Sequence, residues 1–271
     1  MSIKSEYIKT DVGVIRCLEN TDRNNLPTIF IHGFMGSANS WDQVINSNFC
    51  NTIAVDIPGH RKSHFTNLDD NSVDKWSDSM KQLIISKKLT RVNMCGYSMG
   101  GRLAIAFASW HPNVINKLIL ESSSYGIDKE GERKLRYQQD LDNCRRIETD
   151  FSGFVNAWES NSMFLNQKHR NKSGYIAQRE QRLSHIPTQI SQSLKVFGQG
   201  SMKSYDNEFS KFNFPIHIIN GTEDKKYLAI ADRMKDQNKN VVIHRVEAGH
   251  NVHLERPNMF IDILKDILNS N

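Results

Sequence analysis

The sequence predicts a doubly wound α/β fold, and three observations carry that expectation. Seven short apolar runs are each bounded by turn residues, helix-like patterns alternate with them, and one stretch, residues 126–200, breaks the alternation with helical patterns alone. Near-continuous apolar runs suit strands buried on both faces of a parallel sheet. Strand and helix in alternation are what wind such a sheet.

Along the chain, the first run covers residues 12–18. The second, residues 28–32, is β-branched and aromatic and stops at Gly33. Residues 52–56 are closed by Pro58 and Gly59, and a helix over 73–86 follows, with Val73, Trp76, Met80, Leu83 and Ile84 at helical spacing. A strand over 91–97 leads into an Ala- and Leu-rich helix over 101–110, which His111-Pro112 ends. Strands over 117–120, 215–220 and 241–246 complete the sheet, and an amphipathic helix over 260–268 follows Pro257. Between the fifth and sixth strands, helical patterns cover 130–147, 153–164, 174–183 and 188–198. The expected organisation is a core of 1–125 and 201–271 with a helical cap of 126–200 inserted between strands and lying over their ends. Internal repeats and low-complexity linkers are not apparent.

Composition narrows the function. With 271 residues the chain can bury a substantial core, and 38% hydrophobic with 24% charged residues excludes disorder of the whole. The net charge of +5 is mild and no long Lys/Arg run is present, which argues against nucleic acid as a partner. Most of the excess sits in residues 126–200, where Lys and Arg outnumber Asp and Glu by 12 to 9. Cys17, Cys50, Cys95 and Cys144 have neither Cys-x-x-Cys nor metal-ligand spacing, so reduced thiols are expected. The first residues lack the apolar region of a signal peptide, and no apolar stretch nears the ~20 residues that span a bilayer. A soluble, cytoplasmic protein without a membrane partner is the expectation.

Four motifs carry chemistry, each placed directly after a strand. Gly96-Tyr97-Ser98-Met99-Gly100 sits between the strand over 91–97 and the Ala-rich helix. That strand–turn–helix setting is what a nucleophile elbow requires, and it turns the general α/β expectation into an α/β-hydrolase fold. His32-Gly33-Phe34-Met35-Gly36 follows the second strand. In this fold that loop and the residue after the elbow serine supply the oxyanion-hole amides, here Phe34 and Met99. Gly221-Thr222-Glu223-Asp224 ends the sixth strand, and Asp224 is preferred to Glu223 on its spacing, with Glu121 as a rival acid. Ala248-Gly249-His250 ends the seventh, and His250 is the expected base, with His253 turned toward Glu255 and solvent. Ser98, Asp224 and His250 follow the chain order of the fold's triad. His60 and His64, at i,i+4 in a Pro-Gly loop, read as surface histidines. No metal cluster, dinucleotide fingerprint or other cofactor motif is apparent.

Wider stretches resemble one family. His32-Gly-Phe-Met-Gly-Ser37, Trp41, Asp56-Ile-Pro-Gly-His60, Gly96-Tyr-Ser-Met-Gly-Gly-Arg-Leu103 and Ala248-Gly-His-Asn-Val-His-Leu-Glu255 are similar to the 2-succinyl-6-hydroxy-2,4-cyclohexadiene-1-carboxylate synthases of the menaquinone pathway. The resemblance implies a lyase that eliminates pyruvate from 2-succinyl-5-enolpyruvyl-6-hydroxy-3-cyclohexene-1-carboxylate, a small tricarboxylate. Ser98, activated by His250, would remove a ring proton, and no cofactor is implied. It also assigns Arg102, Arg136 and Arg182 to substrate carboxylates, with Tyr97 and Trp158 as walls of the site.

Residue chemistry agrees with that assignment. Guanidinium groups suit bidentate carboxylate binding, and seven of the fifteen arginines lie in the cap. Arg133 and Arg136, and likewise Arg179 and Arg182, share a helical face. Arg102, in the first turn of the elbow helix, opposes the helix dipole and needs another reason to be there. Two segments depart from the family pattern: Arg61 stands where a second glycine is usual, and residues 197–202 follow a Gly-Thr-Gly segment only loosely. The alternatives are a hydrolase of carboxylic esters or of carbon–carbon bonds using the same triad, and a binding protein without turnover.

Overall fold

The computed structural model describes residues 3–20, 25–66 and 71–270. Nine strands form one sheet among them: β1 (Lys4–Thr10), β2 (Gly13–Asn20), β3 (Thr28–Ile31), β4 (Thr52–Val55), β5 (His64–Phe65), β6 (Val92–Tyr97), β7 (Ile115–Glu121), β8 (Ile216–Gly221) and β9 (Val241–Val246). The order is β1-β2-β4-β3-β6-β7-β8-β9, with β5 beside β2. All pairings from β4 to β9 are parallel, whereas β1, β2 and β5 join antiparallel at one side. The mostly parallel, doubly wound sheet is the one expected.

The helices are α1 (Asp42–Ser47), α2 (Val73–Ser86), α3 (Met99–Trp110), α4 (Glu130–Thr149), α5 (Phe151–Glu159), α6 (Gln167–Arg170), α7 (Lys172–Leu183), α8 (Pro187–Phe197), α9 (Asp206–Phe209), α10 (Lys225–Gln237), α11 (Val252–Glu255) and α12 (Pro257–Asn269). One sheet face buries Trp76, Met80 and Leu83 of α2, Leu103 and Phe107 of α3, and Ala231 and Met234 of α10. The other buries Trp41, Val44 and Ile45 near α1 with Phe260, Leu264 and Ile267 of α12. A third cluster, built from Cys144, Ile147, Phe154, Val155, Ile190 and Leu194 of the helices between β7 and β8, also takes in Met35 from the loop after β3.

Three details differ from expectation. The helix expected over 153–164 ends at Glu159, because Asn161 turns its side-chain oxygen to the Met163 N–H and starts a separate 3₁₀ turn at Ser162–Phe164. Helix α10 and the short helices α1, α6, α9 and α11 were not anticipated, nor were the edge strands β1 and β5. The four cysteines are free thiols, three of them buried. No helix of the described residues is long and apolar enough to cross a membrane.

Candidate active site

Parallel strands bring all their C-terminal ends to one sheet edge, where open α/β sheets place their ligands. The loops after β3, β6, β7, β8 and β9 meet there. Ser98 follows β6 with φ +51 and ψ −108, a conformation that is strained for a residue with a side chain. The flanking glycines permit it: a Cβ on Gly96 would stand 2.4 Å from the Gly100 oxygen, and one on Gly100 would stand 2.3 Å from the Ile31 oxygen. The backbone of Ser98 is tied at both ends, its N–H to Glu121 O and its C=O to the Ser123 hydroxyl, both at 2.8 Å.

His250 and Asp224 meet Ser98 as expected. His250 Nε2 lies 3.1 Å from Ser98 Oγ, and His250 Nδ1 lies 2.5 Å from Asp224 Oδ2. The carboxylate can only accept, so Nδ1 carries the ring proton and Nε2 is left to accept from the serine hydroxyl. Asp224 also caps α10, its other oxygen accepting the Tyr227 N–H at 3.3 Å, which holds the carboxylate in place. Glu223, the neighbour passed over on spacing, instead faces the Arg170 guanidinium.

Two histidine expectations are corrected. His253 does not face Glu255 and solvent. It is buried, with Nδ1 2.7 Å and backbone N 3.0 Å from the two oxygens of Glu121, because α11 folds back over the end of β7. The same pairing removes Glu121 as a rival partner for His250. His60 is not at the surface but fully buried, because its loop is roofed by α8 and by His185; His64 is exposed.

A cavity of about 270 Å³ opens above Ser98, and Phe34, Met99, Tyr97, Trp158, Arg102, Arg136, Arg182 and His250 all line it. The three arginines come from α3, α4 and α7. Arg136 Nε donates to Asp140 and its Nη1 to Gln199, each at 2.8 Å. Arg182 Nη1 donates to Glu159 at 2.9 Å and lies over the Phe164 ring. Arg102 is buried in no recorded ion pair among the described residues, and its Nε has no hydrogen-bond partner among them. Burial pulls the Arg102 guanidinium down to about 10, so it remains a cation at neutral pH. The Trp158 indole N–H is likewise buried without a partner among those residues. Of the arginines sharing helical faces, Arg133 turns to the Ile127 carbonyl and Arg179 to Glu159. Met99 opens α3, so its N–H is one of the donors a helix N-terminus leaves free.

Sequence reasoning missed several cavity residues. Lys226 and Tyr227 enter from the first turn of α10, and Gln178, Gln199 and His253 are among the other residues of the walls. Burial lowers the Lys226 ammonium, and the charge of Arg136 adds to the effect. The helical spacing of Tyr227, Ala231 and Met234 after the capping Asp224 was the available signal for α10, and with α10 for Lys226. Among the described residues no group of three or more His, Cys, Asp or Glu is placed to hold a metal ion.

Comparison with known proteins places this geometry. The model of the alpha/beta hydrolase fold family matches residues 27–257. The chain is 31% identical to a Bacillus subtilis (strain 168) protein described as a putative 2-succinyl-6-hydroxy-2,4-cyclohexadiene-1-carboxylate synthase, over 89% of this chain and 90% of that protein. It is 26% identical to the synthase of that name from Enterobacter sp. (strain 638), with coverage of 89% and 90%. Among solved structures, MenH from S. aureus superposes with a TM-score of 0.88 at 26% identity, covering 94% of this chain and 97% of that one. An enol-lactonase from Burkholderia xenovorans LB400 superposes at 0.85 with 15% identity over 98% of this chain and all of that one, a likeness of fold alone.

Proposed function

This chain belongs to the alpha/beta hydrolase family and, within it, to the 2-succinyl-6-hydroxy-2,4-cyclohexadiene-1-carboxylate synthases, and from that premise we propose how its residues eliminate pyruvate. The chain is a lyase: it converts 2-succinyl-5-enolpyruvyl-6-hydroxy-3-cyclohexene-1-carboxylate to the synthase product in menaquinone biosynthesis. The observation that carries the assignment of residues is the arrival of Arg102, Arg136 and Arg182 at the cavity holding Ser98. Three carboxylates on a small ring call for cations that are already in place.

In the proposed reaction, His250 takes the Ser98 proton and Ser98 oxygen takes the ring proton alpha to the succinyl carbonyl. Electron density moves onto that carbonyl oxygen, which the Phe34 and Met99 N–H groups face. Each such donor is worth about 3 kcal/mol of barrier when it is aimed at the developing charge. When the oxyanion collapses, a double bond forms at the ring carbon that lost its proton, the existing ring double bond shifts to the carbon bearing the ether, and that carbon's bond to oxygen breaks. The enolpyruvate released takes a proton on its methylene carbon and becomes pyruvate. No acyl-enzyme forms and no water is added. Asp224 keeps His250 in the tautomer this needs. Tyr97 and Trp158 wall the site, and residues 126–200 act as the cap that closes it from water. The reading includes no cofactor, no nucleic-acid or membrane partner, and a cytoplasmic setting.

The test is pyruvate release from the enolpyruvyl substrate, compared with its spontaneous rate; no acceleration sinks the assignment. Ser98→Ala should lose most of the rate, about a thousandfold, while the substrate still binds. The hydrogen-bonded triad would equally serve ester hydrolysis. Rapid turnover of activated esters with an acyl group on Ser98 in a mass spectrum would favour that second reading.

A further inference from the structure

The loop that presents Phe34 is held by imidazoles at three consecutive peptide units. His32 Nδ1 lies 2.7 Å from the Gly33 carbonyl oxygen, which shares a peptide plane with the Phe34 N–H. The Met35 N–H, in the next plane, points to His60 Nε2 at 3.1 Å. The Met35 carbonyl, in the third, lies 3.1 Å from His185 Nε2. His32 belongs to the loop itself. His60 comes from the segment after β4, and His185 from the turn between α7 and α8. The rings of His60 and His185 meet edge to face at 5.4 Å.

Met35 needs such support. Its φ is +56, a left-handed conformation that is strained for a residue with a side chain. Its side chain is fully buried among cap residues. The hydrogen bonds dictate both tautomers. His60 Nε2 accepts an N–H, so its proton is on Nδ1, facing Ser193 Oγ at 3.4 Å. His185 Nδ1 accepts the Arg61 N–H at 2.9 Å, so its proton is on Nε2 and is donated to Met35. Arg61 reaches that position with φ +54, at the point where the family pattern has glycine. Burial lowers both rings, His185 to about 4 and His60 well below the usual histidine range, so each keeps a lone pair to accept with at neutral pH.

We propose that His60 and His185 are positioning residues for the oxyanion hole, clamping the two backbone groups of Met35 so that the Phe34 N–H stays aimed at the oxygen that gains charge. Because His185 belongs to the segment between β7 and β8, the aim of that donor depends on how this segment sits. The proposal rests on the reading of Phe34 N–H as an oxyanion donor.

Glutamine and asparagine separate positioning from packing. Glutamine reaches about as far as Nε2, offering an acceptor in His60→Gln and a donor in His185→Gln. Asparagine reaches only about as far as Nδ1. The glutamine variants are expected to keep kcat within about threefold, and the asparagine variants to lose about 10- to 100-fold in kcat with KM nearly unchanged, less than a whole donor is worth. Equal loss in both pairs, or a rise in KM with kcat kept, would overturn the proposal. Histidine ¹⁵N spectra of the wild-type chain give a second measurement that needs no variant. They should show the Nδ1–H form of His60 and the Nε2–H form of His185; the opposite tautomer at either ring overturns it. Wild-type pyruvate release is the control for the function itself: its failure sinks that reading, while the tautomers still decide this one.

Discussion

Arg102 sits in the first turn of α3, where the helix dipole repels a cation, and it is buried with no recorded carboxylate partner among the described residues. A desolvated, unpaired charge destabilises the chain that holds it unless something else meets it. In the proposed function a substrate carboxylate does so, and on that reading Arg102 is retained at the expense of stability. Arg102→Met, of similar length, is therefore expected to raise the thermal midpoint by about 3 °C while lowering kcat/KM about a hundredfold. Thermal unfolding and pyruvate release measure the two; a lower midpoint with kcat/KM unchanged would sink the idea. At this scale the sequence was legible wherever one residue followed one strand, as Ser98, Asp224 and His250 do. His253 was misread because its partner, Glu121, lies 132 residues away and only the end of β7 brings them together. His60 was misread because its roof, Ser193 and His185, belongs to a segment whose placement over the loop no local pattern reveals.

Helix α6 shows how an element with few residues can hold the site. Its last residue, Arg170, bonds Glu223, beside Asp224, and also donates to Glu255 Oε2 at 2.7 Å. The same Glu255 oxygen accepts the Gly249 N–H at 2.8 Å, one residue before His250. One side chain from the segment between β7 and β8 thus ties together the loops that carry Asp224 and His250. Arg170→Met would leave the fully buried Glu255 carboxylate with its charge unpaired, a loss of about 3 kcal/mol. Adding Glu255→Gln removes that charge and should return part of the loss, a coupling above about 1 kcal/mol in denaturant titrations of the two single variants and the double. Strict additivity would show that the pair does not act as a unit. The strands were legible because β3, β4 and β6 are buried on both faces and read as apolar runs. Strand β1, Lys-Ser-Glu-Tyr-Ile-Lys-Thr, is almost wholly exposed at the sheet edge and carries no such signal. Two-residue β5 is below what any periodicity can show.

Over the whole molecule, burial sets a pH dependence through histidines that folding holds neutral. Burial pulls His32 to about 3 and His185 and His217 to about 4, and it also lowers His60 and His244. Unfolded, each takes up a proton near pH 6.5; folded, it does so only at lower pH. Between those values the unfolded chain binds more protons, so stability rises with pH there and is lost as pH falls from about 6.5 toward 4. Asp42 and Asp56, raised by burial, act the other way but from the carboxylate range upward. The net expectation is a thermal midpoint that is flat above pH 7 and falls below 6.5, each such histidine steepening the slope by about 1.4 kcal/mol per pH unit. His185→Gln removes one of these groups while keeping its donor to Met35. Its midpoint should therefore start lower, through lost packing, yet fall less steeply with acid than the wild type's. Calorimetry from pH 8 to 5 on the two proteins reads the difference in slope, and parallel curves would mean that His185 does not stay neutral in the folded chain.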